Sequence, residues 1–198
     1  MRICHIKVSM NKSIPPFVFS LALLTCPSAL AAIFGTGANA FTMDFVDIGD
    51  ASNAADTNGY GAVGYSYSMG THEVSELMIQ SYNILSGGPN ITIDVRGDNK
   101  PATSISWNEA ARFVNWLNIS SGFSVAYQFD TVGGNDNVAH WESGDAGYDL
   151  NNPFRNSNAR YVLPSENELY KAAYYDPSAT GGTGGYWNYA TGSDAVPT

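Results

Sequence analysis

Both cysteines of this 198-residue chain, Cys4 and Cys26, fall near its start, so whatever folds beyond them must close its core without a disulfide. Thiolate metal sites and cysteine nucleophiles are excluded from that stretch too, because each needs a sulfur that only the first residues carry. Those residues read as a cleavable export leader. Arg2, Lys7 and Lys12 make a basic start, residues 17–24 are an apolar run too short to span a bilayer, and Ala29-Leu30-Ala31 has the small-x-small pattern of a cleavage site. Residues 1–31 are therefore expected to be a signal peptide, with Ala38-Asn39-Ala40 as the fallback site. Leu23-Leu24-Thr25-Cys26 touches the pattern for lipid attachment, but Pro27 and the bulk of Leu24 and Thr25 argue against it. The expected location is outside the cytoplasm: periplasm, cell surface or extracellular space. No stable membrane span is expected.

The chain carries 9 Lys+Arg against 18 Asp+Glu, a net charge of −9. Losing the leader removes three bases and no acids, so the mature protein is more acidic still. Such a surface is repelled by nucleic acid and by anionic lipid, which removes both as partners. The remainder is long enough for one domain with a real core, and no linker or charge block divides it. With 20 glycines, 13% aromatic residues and little helical periodicity, it points to a loop-rich α+β fold rather than a bundle or a doubly wound sheet.

Residues 43–50 half-alternate as a strand, and Tyr65-Ser66-Tyr67-Ser68-Met69 alternates cleanly as a second, antiparallel one with its tyrosines and Met69 on one face. The polar loop between them, residues 51–64, is expected to be mobile. Ser75 caps a helix over residues 76–85 that Gly87-Gly88-Pro89 ends. His72 and Glu73 precede it, but neighbours on an extended segment point to opposite faces and make a poor acid–base pair.

Two capping boxes are the sharpest local signals. In Ser106-Trp107-Asn108-Glu109 the serine hydroxyl meets the Glu109 N–H while the carboxylate returns to the Ser106 N–H, and Ser165-Glu166-Asn167-Glu168 repeats the device. The first opens a helix whose Ala110, Phe113, Val114 and Leu117 form an apolar stripe, widened by Trp107 and Ala111, to a stop near Ser120-Ser121-Gly122. Trp107 and Trp116 are read as core residues, and residues 101–105 as an extended strand leading in. The second follows the short strand Tyr161-Val162-Leu163-Pro164 and runs to Asp176-Pro177. The glycine run at 181–185 lacks the lysine and the preceding strand of a phosphate loop. Tyr186-Trp187-Asn188-Tyr189 must pack on something.

Residues 130–160 are dense in Gly, Asn and Asp. Asp130, Asp136, Asp145 and Asp149 are weak calcium candidates, since calcium takes 6–8 oxygen ligands in flexible geometry, though the spacing is no EF-hand and an ordinary hydrogen-bonded loop fits as well. Asn90-Ile91-Thr92 and Asn118-Ile119-Ser120 match the glycosylation pattern, which is common by chance. No catalytic constellation emerges, for neither His72 nor His140 lies near a nucleophile motif.

The order of Met69-Gly70-Thr71-His72-Glu73-Val74-Ser75, then residues 101–110 with Trp116-Leu117, then residues 162–173 resembles the sulfatase-modifying factor family, over roughly residues 41–198. The resemblance implies the C-type-lectin-like fold of formylglycine-generating enzymes. It also implies an oxidation of substrate cysteine that uses a copper-binding cysteine pair in the C-terminal part of the domain. Residues 152–160 with Tyr174-Tyr175-Asp176-Pro177 further resemble a bacterial exported subgroup that often bears a PEP-CTERM sorting tail. The chain stops at Val196-Pro197-Thr198, before the family's Gly-Asn-Val-Trp-Glu-Trp-like and Arg-Gly-Gly-Ser-Trp-like blocks. It reads as the N-terminal portion of the domain, incomplete at the C-terminus. If C-terminal strands are missing, the aromatics of residues 174–189 are expected to be partly exposed.

Three readings follow. The first is an exported, noncatalytic domain with a binding or surface role, its partner a protein or glycan at the cell exterior and no cofactor expected. The second is a fragment of a formylglycine-generating oxidoreductase whose cysteine-bearing half lies elsewhere; copper has no ligand pair without it. The third is a calcium- or carbohydrate-binding lectin-like module.

Overall fold

The computed structural model describes residues 6–9, 30–131 and 137–197. Strand β1, Lys7–Val8, comes from the N-terminal segment. Strand β2, Leu30–Phe34, pairs antiparallel with β3, Phe41–Ile48, which buries Phe41, Met43 and Phe45 while Thr42 and Asp44 face solvent. That alternation is what a strand covered on one face requires. β3 pairs in turn with β4, Tyr67–Gly70, in the antiparallel sense that the sequence suggests. All four residues of β4 are buried, as befits a strand deep in a sheet. The five-stranded sheet runs β2-β3-β4-β1-β7, with β7 at Tyr161–Val162. Two short hairpins lie outside it, β5 (Gln128–Asp130) with β6 (Asn137–Ala139) and β8 (Tyr175–Asp176) with β9 (Gly185–Tyr186).

Helix α1, Glu76–Leu85, starts where the Ser75 hydroxyl accepts the Met78 N–H, and Gly87 beyond its end sits at φ 66°. Helix α2, Trp107–Ser120, and helix α3, Glu166–Tyr174, both open with complete capping boxes. The stripe on α2 behaves as its spacing demands. Phe113, Val114 and Leu117 are fully buried against Phe34, Phe41, Phe45, Ile6, Val8 and Tyr161 on one face of the sheet. Each such side chain contributes about 1.5–3 kcal/mol on leaving water. The other face carries Tyr67 and Met69, with Val63, against Ala172 of α3.

Three expectations need correction. Trp107, at the first position of α2, is 41% exposed and set edge-on to Tyr127 at 5.0 Å; Trp116 does pack inward, on Phe41, Tyr82 and Phe113. Residues 101–105 form no strand beyond a single bridge from Pro101 to Ser75, since Ser104 takes φ 60° and turns the chain into the Ser106 cap. The loop at 51–64 is no bare connector, for Asn53 and Val63 are buried in it. The half-buried state expected of Tyr174, Tyr175, Tyr186, Trp187 and Tyr189 is what the structure has. Among the described residues, no helix is long and apolar enough to cross a membrane.

Candidate functional site

The densest polar centre lies beneath the middle of the sheet, where α3 begins. Its capping box fixes the Glu168 carboxylate, since Oε2 accepts the Ser165 N–H at 2.7 Å while the Ser165 hydroxyl accepts the Glu168 N–H at 3.3 Å. The same carboxylate is fully buried and accepts Lys7 Nζ at 2.6 Å, Arg155 Nη1 at 3.3 Å and the Tyr65 hydroxyl. Tyr67 donates to the Glu168 carbonyl. Lys7 Nζ also stands 4.6 Å from the Tyr65 ring centre and 5.4 Å from that of Tyr67, in cation–π range.

One carboxylate thus serves two cations. Burial alone would raise the Glu168 carboxyl, but Arg155 and Lys7, with the Lys7 and Tyr65 hydrogen bonds, outweigh it and hold it down to about 2. Burial lowers the Lys7 ammonium below its ordinary value despite its partner, which makes it the more easily neutralised of the two cations. Burial and the neighbouring carboxylate push the Tyr65 phenol up to about 12. A centre of this kind cannot act as a general acid or base near neutrality: its carboxylate is locked ionised and its phenols locked neutral.

Lys7 reaches the centre because β1 is inserted between β4 and β7. Lys7 stands opposite Met69 on one side and Val162 on the other, and Val8 opposite Ser68 and Tyr161. The Gly70 N–H donates to the Ile6 carbonyl at 2.9 Å and the Ser9 N–H to the Arg160 carbonyl at 2.7 Å. Side chains alternate across the pleat, so Ile6 and Val8 enter the main core while Lys7 faces Glu168.

Beside α3 lies a second cluster. Asn53 donates to the Gly61 carbonyl at 2.8 Å and to the Tyr186 hydroxyl at 2.6 Å, and accepts the Val63 N–H at 3.2 Å. Tyr170 donates to Asp56 at 2.7 Å and accepts from Asn58 at 2.7 Å, while Tyr175 donates to the Asp50 carboxylate. The rings of Tyr60, Tyr174 and Tyr186 lie 4.7–5.9 Å from Tyr170. The polar atoms named here are spent on closing the 51–64 loop on itself and joining it, with Asp50, to Tyr170, Tyr175 and Tyr186. The cluster reads as a clamp, which answers what Tyr186 packs on.

The calcium candidates are dispersed. Asp130 ends β5 and is exposed, Asp145 accepts the Glu142 N–H at 2.7 Å, Asp149 accepts the Asn151 N–H at 2.9 Å, and Asp136 lies outside the described residues. Among the described residues no three His, Cys, Asp or Glu are grouped to hold a metal. His140 packs edge-on to Phe154 at 4.2 Å. The Thr71 hydroxyl lies 3.1 Å from His72 Nδ1, but it donates to the Asp44 carbonyl, so His72 is not its base. Glu73, beside it in sequence, is half-buried.

Sequence reasoning missed Lys7, Arg155 and the ionic role of Glu168, which it took for a cap alone. The available signal was Ile6-Lys7-Val8, an apolar–cation–apolar alternation hidden inside the basic start of the leader. It also missed Asn118. That side chain is fully buried inside α2, donating to the Tyr161 carbonyl at 2.8 Å and the Val114 carbonyl at 3.0 Å, and accepting the Arg160 and Tyr161 N–H groups at 3.0 Å. A glycan at Asn118 is incompatible with those bonds.

A mixed helix-and-sheet domain, opened by two capping boxes and built around an antiparallel sheet, belongs to the α+β class. A family model described as the sulfatase-modifying factor enzyme 1-like domain matches residues 36–197, and the chain belongs to that family, whose fold is C-type-lectin-like. Comparison with curated proteins and with solved structures returned no match. The copper-binding cysteine pair that the resemblance implies for the family's enzymes does not fit the residues present, because residues 27–198 contain no cysteine.

Proposed function

We propose that this chain is an exported, noncatalytic member of the sulfatase-modifying factor family that works by binding, with a protein or glycan partner at the cell exterior. The observation that carries the reading is the absence of sulfur nucleophiles and thiolate ligands from residue 27 onward. A supporting one is that the buried Glu168 carboxylate is tied up by Arg155 and Lys7, which hold it well below the ordinary carboxylate range. Leader removal after Ala31 spares Phe34, which is buried on Phe41 and Tyr161, whereas cleavage after Ala40 would remove it; either cut takes away β1 with its buried Ile6, Lys7 and Val8. Kinship with bacterial PEP-CTERM-bearing proteins belongs to the same reading.

The purified full chain, incubated with copper and a cysteine-bearing substrate peptide, is expected to leave the cysteine unchanged by mass and to form no hydrazide-reactive aldehyde. Aldehyde formation by this polypeptide alone overturns the proposal. Family membership favours one second reading, an oxidoreductase whose cysteine pair is encoded downstream of Thr198; a Cys pair in the continuing reading frame establishes it, and its replacement by other residues removes it.

A further inference from the structure

We propose that the space between β4 and β7 is a strand-acceptor site for an extended, cation-bearing segment of a partner protein, and that residues 6–9 hold the place until the leader is removed. The proposal rests on the export reading above, which takes those residues away.

The slot is built for a strand. It offers unpaired backbone groups on both sides, as the pairs of Lys7 with Met69 and Val162 and of Val8 with Ser68 and Tyr161 show once their occupant is taken out. Ile6, Lys7 and Val8 are all at least 98% buried there. Removing it exposes two sheet edges and the apolar surface of Phe45 and Tyr161, a state that proteins avoid by pairing or covering the edge.

The slot also states what it accepts. Positions 6 and 8 need aliphatic side chains, because both enter the main core. Position 7 needs a positive charge, because the buried Glu168 carboxylate and the faces of Tyr65 and Tyr67 converge on it. Leaving Glu168 short of that cation takes away part of its charge compensation, and placing an acid there sets like charges together in a dry site. Strand addition then supplies affinity through main-chain bonds and specificity through the alternate side chains, the mode in which an extended peptide joins a sheet edge. Arginine suits position 7 as well as lysine, since Arg155 already shows that a guanidinium can share this carboxylate.

The test uses the full chain carrying Lys7→Glu, whose own strand is repelled by Glu168, and a labelled peptide of residues 5–11 read by fluorescence anisotropy. The native peptide and its Lys7→Arg form are expected to bind at least tenfold more tightly than the Lys7→Glu peptide and to raise the melting temperature of the chain. In the wild-type chain, where the intramolecular strand competes at high effective concentration, binding is expected to be weaker. A full chain with Lys7→Met gives a second, milder ejection and the same ranking. Equal binding of all peptides overturns the proposal, as does failure of both variants to fold with or without the native peptide. Mass measurement of the N-terminus of the exported product tests the export reading separately: a retained leader keeps residues 6–9 in the slot and overturns the acceptor role even where the peptide binds selectively, and a removed leader without peptide binding refutes the slot itself.

Discussion

Replacing Glu168 by Gln removes the charge that Arg155 and Lys7 share while keeping a side chain able to reach the Ser165 N–H. Stranding two buried cations is expected to cost about 3–5 kcal/mol, read as a lowered midpoint in denaturant. The pH dependence follows with its sign. The folded Glu168 titrates near 2, below its ordinary 4.5, so its contribution is complete above about pH 4.5 and lost as pH falls towards 2. The Gln variant should lack that part of the acid slope. Asn118→Ala deletes four hydrogen bonds, three that tie α2 to Arg160 and Tyr161 at the start of β7 and one to Val114 within α2. Because the Arg160 and Tyr161 N–H groups are then left without this acceptor, a loss of about 2–4 kcal/mol is expected in the same assay. Neither role was legible beforehand: a buried Asn or Glu declares itself only through residues it meets from elsewhere in the chain.

At the scale of elements, what is local was readable and what is remote was not. The bounds of α1 and the starts of α2 and α3 follow from Ser75, Ser106 and Ser165, whose caps involve only the next three residues. Ser106→Ala should accordingly cost about 0.5–2 kcal/mol without changing the fold, as thermal melts can show. Trp107 defeated the pattern because helical periodicity says which residues share a face but not where along the helix its neighbour ends. The 51–64 loop defeated it for a different reason, since the groups that order it, Tyr170 and Tyr186, lie more than a hundred residues away. Asn53→Ala should release this loop, and limited proteolysis is expected to cut within residues 54–62 at least several times faster than in the parent chain. Unchanged cleavage would show that the tyrosines hold the loop without it.

For the whole molecule, the α+β class and the family were legible from composition and three ordered blocks, while the make-up of the sheet was not. Two of its five strands, β1 and β2, begin in residues that read as a leader, a reading driven by charge and apolarity that is blind to pairing. The contact between Lys7 and Glu168 spans 161 positions of chain. The ribosome must therefore have passed Glu168 before the sheet's centre can close, and contacts so distant in sequence form late and slowly. On the export reading proposed above, a peptidase acting on the emerging N-terminus has that whole interval in which to work. The seating of β1 then becomes a race between proteolysis and synthesis, and slowing export or translation is expected to change which molecule accumulates.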